Sequence, residues 1–173
     1  MPNKLVIVIN GPGGVGKDTI CDIVGRYYKA RNVSSITPIK EIAASGGWSP
    51  ADKSLPARKL LSDLKQAFTE YNDLPTAYLL DEYEKFLKSD AEIIFMHIRE
   101  GTEISKLLSK ISGDAITLLV LRSRNTKYNY GNPSDDLVEA FNYDYTYFNE
   151  KPLEELEDDF MAFFREIISS LTV

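Results

Sequence analysis

Eight consecutive residues, Gly11-Pro12-Gly13-Gly14-Val15-Gly16-Lys17-Asp18, hold the densest chemistry in the chain. Glycines let a backbone turn through angles closed to other residues and let N–H groups crowd toward an anion. A lysine after the last glycine adds a mobile positive point charge. Together they describe a cradle for a nucleoside triphosphate, and the pattern G-x-x-x-x-G-K-[ST] is met at seven of its eight positions. The eighth is Asp18, where a hydroxyl residue is usual. That hydroxyl normally sits on Mg²⁺, and a carboxylate is a hard oxygen ligand that suits the same ion directly or through water. Asp18 also brings negative charge beside phosphates, so a metal is expected to screen it. Gly11, Gly13, Gly14, Val15, Gly16, Lys17, Asp18 and Thr19 are the expected triphosphate-binding residues, with Asp18 also a metal ligand and ATP and Mg²⁺ as the implied cofactors.

Such a loop works between a strand and a helix, because the helix turns its partly positive N-terminus toward the anion. Leu5-Val6-Ile7-Val8-Ile9 is a continuous apolar run, as expected of a strand buried on both faces. A helix is predicted over Lys17–Arg31, with Ile20, Ile23, Val24, Tyr27 and Tyr28 on its apolar face. The plainer alternative, a glycine-rich turn ending in a surface lysine, does not account for that setting. Further strands are predicted at Val33–Thr37, Ala91–Ile98, Ala115–Leu121 and Tyr145–Phe148. Helices are predicted from Pro38 to Ile42, Arg58 to Tyr71 (Leu60, Leu61, Leu64, Phe68 and Tyr71 inward), Pro75 to Leu87 and Glu103 to Ile111. A short helix is expected over Asp136–Phe141, and a terminal one from Pro152 with Leu153, Leu156, Phe160, Phe163, Ile167 and Leu171 on one face. Alternating strands and helices give a parallel sheet covered on both faces, with ligands at the carboxyl ends of the strands. Asn10, Arg99, Glu100 and Arg122 fall at or just after such ends.

Bulk properties narrow the classes. The length of 173 residues suits one domain. A net charge of −6 argues against partners that are nucleic acid or anionic membrane. No apolar run reaches the roughly 18 residues of a membrane span. Cys21, the single cysteine, excludes an intrachain disulfide and fits a reducing cytoplasm. No signal peptide fits a chain that enters a strand so soon. A monomer or homodimer acting on small-molecule nucleotides is expected.

These residues resemble the P-loop kinases of the nucleoside monophosphate kinase superfamily, and most of all its deoxynucleoside monophosphate kinase and phosphomevalonate kinase branch. Gly16-Lys17-Asp18-Thr19 matches the branch's Gly-Lys-Asp loop ending. Thr37-Pro38-Ile39-Lys40-Glu41-Ile42-Ala43 resembles its segment after the second strand, and Arg58-Lys59-Leu60-Leu61 with Leu64 its substrate-side helix. His97-Ile98-Arg99-Glu100 before Glu103-Ile104 resembles its strand-end arginine and acidic helix start. Tyr143-Asp144-Tyr145, Asn149 and Leu153-Glu154-Glu155-Leu156 resemble its closing strand and terminal helix. His97 departs from the branch's frequent aspartate, and the lid is short and rich in Tyr and Asn.

The resemblance implies an α/β fold, a P-loop NTPase three-layer α/β/α sandwich with a five-stranded parallel sheet. It implies a helical acceptor-side insert at about 38–90 and a lid at about 122–136. Phosphoryl transfer asks for positioning and positive charge around the migrating group. Lys17, Arg122 and Arg124 are therefore the expected catalytic residues, the arginines closing over the phosphates unless they are solvated loop residues. Lys40, Arg58 and Arg99 are candidates for the acceptor's phosphate; Arg58 is otherwise a surface residue and Arg99 otherwise the partner of a structural acid. Glu100 either orients the water shell of Mg²⁺ or is an acid favoured by a helix N-terminus. His97 reads as a hydrogen-bonded core histidine and Cys21 as core packing; Tyr128, Asn129 and Tyr130 stack on a base or decorate the lid.

The function implied is ATP-dependent phosphorylation of a small phosphorylated acceptor, a (deoxy)nucleoside monophosphate first, with a non-nucleotide such as phosphomevalonate as the alternative. A nucleotide-binding regulatory module is the competing class. Against a switch stand the lack of an Asn-Lys-x-Asp guanine motif and of a Walker-B type aspartate closing an apolar strand.

Overall fold

The run Leu5–Asn10 forms strand β1 and is buried along its whole length, so both of its faces need cover. The structure, a computed structural model, describes residues 4–112, 114–123 and 138–171. β1 lies in the middle of a five-stranded parallel sheet with β2 (Ala30–Ser34), β3 (Ile93–His97), β4 (Asp114–Leu121) and β5 (Tyr145–Phe148). The strand order is β2-β3-β1-β4-β5. Register places Ile9 beside His97 of β3 and Leu118 of β4, so the loop after β1 emerges between two strand ends. That is the sheet edge where open α/β folds bind ligands.

Period-two alternation splits β1 between two cores. Leu5, Ile7 and Ile9 pack with α1 (Lys17–Gly25) and with Leu156, Phe160 and Phe164 of the terminal helix, here α6 (Leu153–Ser170). Val6 and Val8 face α4 (Leu74–Lys88) and α5 (Gly101–Leu108) through Leu79, Phe86, Ile104 and Leu107. The result is the expected three-layer arrangement. Lys4 secures the back edge by donating to the carbonyls of Phe86, Ser89 and Ala91 at the end of α4, at 2.6–3.1 Å. A cation there complements the negative end of the helix dipole.

Helices α2 (Thr37–Ser45) and α3 (Leu55–Asn72) lie with α4 between β2 and β3. α3 is well formed locally: Ser54 caps it, accepting from Ala57 N at 3.3 Å, and Pro56 sits in its first turn. It is nevertheless poorly covered, with Ala57 its single buried residue.

Several boundaries differ from expectation. α1 stops at Gly25 rather than running to Arg31, because Ala30–Ser34 is needed as the edge strand β2. The apolar pattern of Val33–Thr37 had placed that strand later; pairing with β3 from Ala30↔Ile93 to Ser34↔His97 decides its register. Tyr27, expected on the apolar face of α1, is 51% exposed and donates to Glu157 at 2.8 Å. Leu60 and Tyr71 of α3 and Leu153 of α6 are likewise exposed. The buried stripe of α6 is Leu156, Phe160, Met161, Phe164 and Ile167. The short helix expected over Asp136–Phe141 is a 3₁₀ turn at Val138–Ala140 among the described residues.

Candidate functional site

The loop from Gly11 to Gly16 has a conformation that two of its glycines make necessary. Gly11 adopts φ 148°, and a Cβ there would lie 2.2 Å from the Val120 carbonyl oxygen. Gly16 caps α1 at φ 97°, where a Cβ would lie 2.5 Å from Nδ2 of Asn149. Both positions exclude a side chain for two reasons at once, backbone angle and space. Lys17 opens α1, and its ammonium donates to the carbonyl of Gly11 and, at 2.8 Å, to that of Pro12, which holds the charge over the mouth of the loop. Asp18 is exposed in the first turn of α1, where an acid complements the helix dipole.

Two asparagines brace the loop from opposite ends. Asn10 Oδ1 accepts from Gly11 N at 2.8 Å, while its Nδ2 donates to the Arg99 carbonyl at 2.9 Å and to the Tyr143 hydroxyl at 2.7 Å. Tyr143 in turn donates to the Val138 carbonyl at 2.8 Å, and burial raises its phenol to about 12, so it stays a donor. At the far end Asn149 Nδ2 donates to the Val15 carbonyl at 2.8 Å. Below the lead-in to β5, Asp144 accepts from the Thr117 amide and hydroxyl, each at 2.8 Å. These contacts tie β1 to β3, β4 to the start of β5, and the residue after β5 to the loop. Sequence reading noted Asn10 as a strand-end residue and Asn149 as part of a resemblance, but saw neither contact. The only sequence signal is a polar residue closing an apolar run.

The other expected site residues divide. Arg99 and Arg122 follow β3 and β4, which flank β1, so both come from strand ends beside the loop. Both are exposed. Arg124, with Tyr128, Asn129 and Tyr130, lies outside the described residues. Lys40 and Arg58 are exposed on α2 and α3, helices that pack on each other. Glu100 precedes α5 and forms an ion pair with Lys65 of α3, which also holds Glu103 at 3.0 Å. Burial and the neighbouring Glu100 charge push Glu103 up to about 7 against the pull of Lys65. Burial works upward on Glu100 too, but the Lys65 ammonium and hydrogen bonds bring it below its ordinary value. The cluster joins α3 to the sheet edge, a link that sequence spacing did not reveal.

His97 sits at the end of β3, largely buried, with Nε2 3.7 Å from Cys21 Sγ. Burial, aided by the charge of Lys17, lowers its imidazole to about 4, so it is neutral near pH 7. Burial and the acids Asp18 and Asp22 push the Cys21 thiol up, leaving it unreactive. Among the described residues no group of three or more His, Cys, Asp or Glu side chains could hold a metal ion by itself. A lone exposed carboxylate at the loop, Asp18, is a donor of the kind Mg²⁺ accepts, since that ion keeps several waters and takes phosphate oxygens.

No protein-family model matches the sequence. No curated protein matches it. The structure is similar to that of a gluconokinase from Sinorhizobium meliloti 1021, with TM-score 0.53 and 13% identity, covering 99% of this chain and 96% of that one. It is also similar to the tunicamycin resistance protein of Deinococcus radiodurans, with TM-score 0.52 and 16% identity, covering 92% and 94%. At such identities the likeness concerns the fold, and it spans nearly the full length of each chain. The five-stranded parallel sheet between its helical layers is thus the three-layer α/β fold that this chain has in common with those two structures.

Proposed function

We propose that this chain is an ATP- and Mg²⁺-dependent phosphotransferase acting on a small phosphorylated acceptor, a (deoxy)nucleoside monophosphate first. The observation that carries the reading is the loop itself: Gly11 and Gly16 in positive-φ conformations, Lys17 over the mouth, and Asn10 bracing the entry. Backbone N–H groups and the N-terminus of α1 bind the triphosphate, and Lys17 serves its β- and γ-phosphates. Asp18 is the residue that would hold the Mg²⁺ shell, and the ion would supply charge neutralisation at the transferring phosphate. Glu100 is engaged by Lys65, which supports an acceptor-side role for it more than a metal-side one. Arg122 and Arg124 meet charge as it develops, a task suited to the guanidinium fork.

The acceptor side supports a second reading, a non-nucleotide acceptor such as phosphomevalonate. Lys40 and Arg58 are exposed, and the carboxylates gathered by Lys65 suit hydroxyl donors as well as base N–H groups. Thermal shift and phosphoryl-transfer assays with ATP·Mg²⁺ against nucleoside monophosphates and phosphomevalonate separate the readings. Replacement of Arg122 or Arg124 by Ala is expected to cut turnover on the order of a thousand-fold with ATP affinity little changed. If no acceptor is phosphorylated while ATP still binds, the regulatory-module reading replaces the kinase.

A further inference from the structure

We propose that Asn149 is a positioning residue for triphosphate binding: its side-chain amide fixes the end of the phosphate loop and couples it to the root of the segment bearing Arg122. The inference rests on the phosphate-loop reading and adds a residue from the far end of the chain. Asn149 is 1% exposed. Its Nδ2 donates to the Val15 carbonyl at 2.8 Å, inside the loop and two residues before Lys17. Its backbone N–H donates to the Leu121 carbonyl at 2.8 Å, immediately before Arg122. One residue thus grips the loop with its side chain and the strand end with its backbone.

Two details make this more than packing. First, the amide occupies the space above Gly16, 2.5 Å from where a Cβ would stand, so Gly16 and Asn149 fit only as a pair. Second, Oδ1 of Asn149 is buried and has no hydrogen-bond partner among the described residues. An unsatisfied buried acceptor carries a desolvation cost that a small apolar residue would avoid. Donation to Val15 offsets that cost and fixes the carbonyl of residue 15 in place. The adjoining N–H groups, which bind anions, then keep one orientation. Preorganised donors bind better than donors that must be ordered by the ligand.

The test compares wild type with Asn149→Ala and the isosteric Asn149→Asp, which replaces the donor by an acceptor. Each is titrated with a fluorescent ATP analogue, and amide hydrogen exchange is followed over residues 11–16 without nucleotide. Both variants are expected to bind at least tenfold more weakly, to lose most of the nucleotide-induced thermal shift, and to exchange faster in the loop. Gly16→Ala is expected to weaken binding alone, and to cost less in the Asn149→Ala background, since the clash with Nδ2 is gone. A folded variant with lowered melting temperature but unchanged nucleotide affinity and loop exchange overturns the proposal and leaves the phosphate loop standing. A wild-type chain that binds no triphosphate overturns both. If Asn149→Ala does not fold, Asn149→Asp decides.

Discussion

The loop side of this molecule and its α3 side are built on different principles. On the loop side, β1 is buried at every position, two glycines admit no Cβ, and Asn10 and Asn149 hold the backbone by its own amides and carbonyls. On the other side, the 18-residue α3 buries only Ala57 and leaves Leu55 and Tyr71 79% and 82% exposed. Its links inward are ionic: Lys65 to Glu100 and Glu103, with Lys106 of α5 holding Asp73 of the α3–α4 turn at 3.0 Å. On the proposed reading, a triphosphate meets backbone, which tolerates little change, and an acceptor meets side chains on a lightly packed layer, where change is cheaper and specificity can vary.

The sharpest break in this contrast is at Lys17. Lys17→Ala should abolish measurable triphosphate binding while the thermal midpoint without nucleotide stays within a few degrees of wild type; retained ATP affinity in a folded variant would remove the site. Next is Gly11→Ala, which drives a methyl into the Val120 carbonyl and needs φ 148° of an alanine. We expect a loss of about 3 kcal/mol or more, read as a fall in melting temperature of roughly 10 °C. A fall of a degree or two would show that the loop is softer than its geometry says.

His97 gives the loop side a pH signature. Its folded value near 4 lies below the ordinary 6.5, so the unfolded chain takes the proton first as pH falls. Its contribution is therefore full above about pH 6.5 and is lost as pH falls toward 4. Relative to His97→Gln, the wild type should lose up to about 3 kcal/mol over that window in urea denaturation, from 1.36 kcal/mol per pH unit. A constant difference would mean that the imidazole charges freely in the fold.

Glu103 has the opposite sign. Its folded value near 7 lies above the ordinary 4.5, so the folded chain holds the extra proton and stability falls as pH rises through that interval. Lys65→Met leaves two carboxylates without their counter-ion, and should cost about 2 kcal/mol near pH 8 and less near pH 5. Equal losses at both values would detach Lys65 from the acids. The smallest effect is expected at Tyr71: Tyr71→Ser should stay within about 0.5 kcal/mol of wild type, as for other exposed positions. A larger loss would show that α3 is covered in solution.

The sequence alone determined the loop and the layers. Glycine spacing, Lys17 and the run Leu5–Ile9 are local patterns, and backbone sterics and burial act on them wherever the chain goes. Strand alternation carried the sheet and its ligand edge for the same reason. What only the tertiary structure decided lies in pairings between residues far apart. Asn149 and Val15, Lys65 and Glu103, and Asp144 and Thr117 show no periodicity linking them, and each side chain alone reads as an ordinary polar residue. The start of β2 at Ala30 was illegible likewise. An edge strand need bury only part of each residue, so its register comes from β3 rather than from its own composition. Leu60, Tyr71 and Leu153 show the reverse error: a helical apolar period is local, but whether a partner covers it is not.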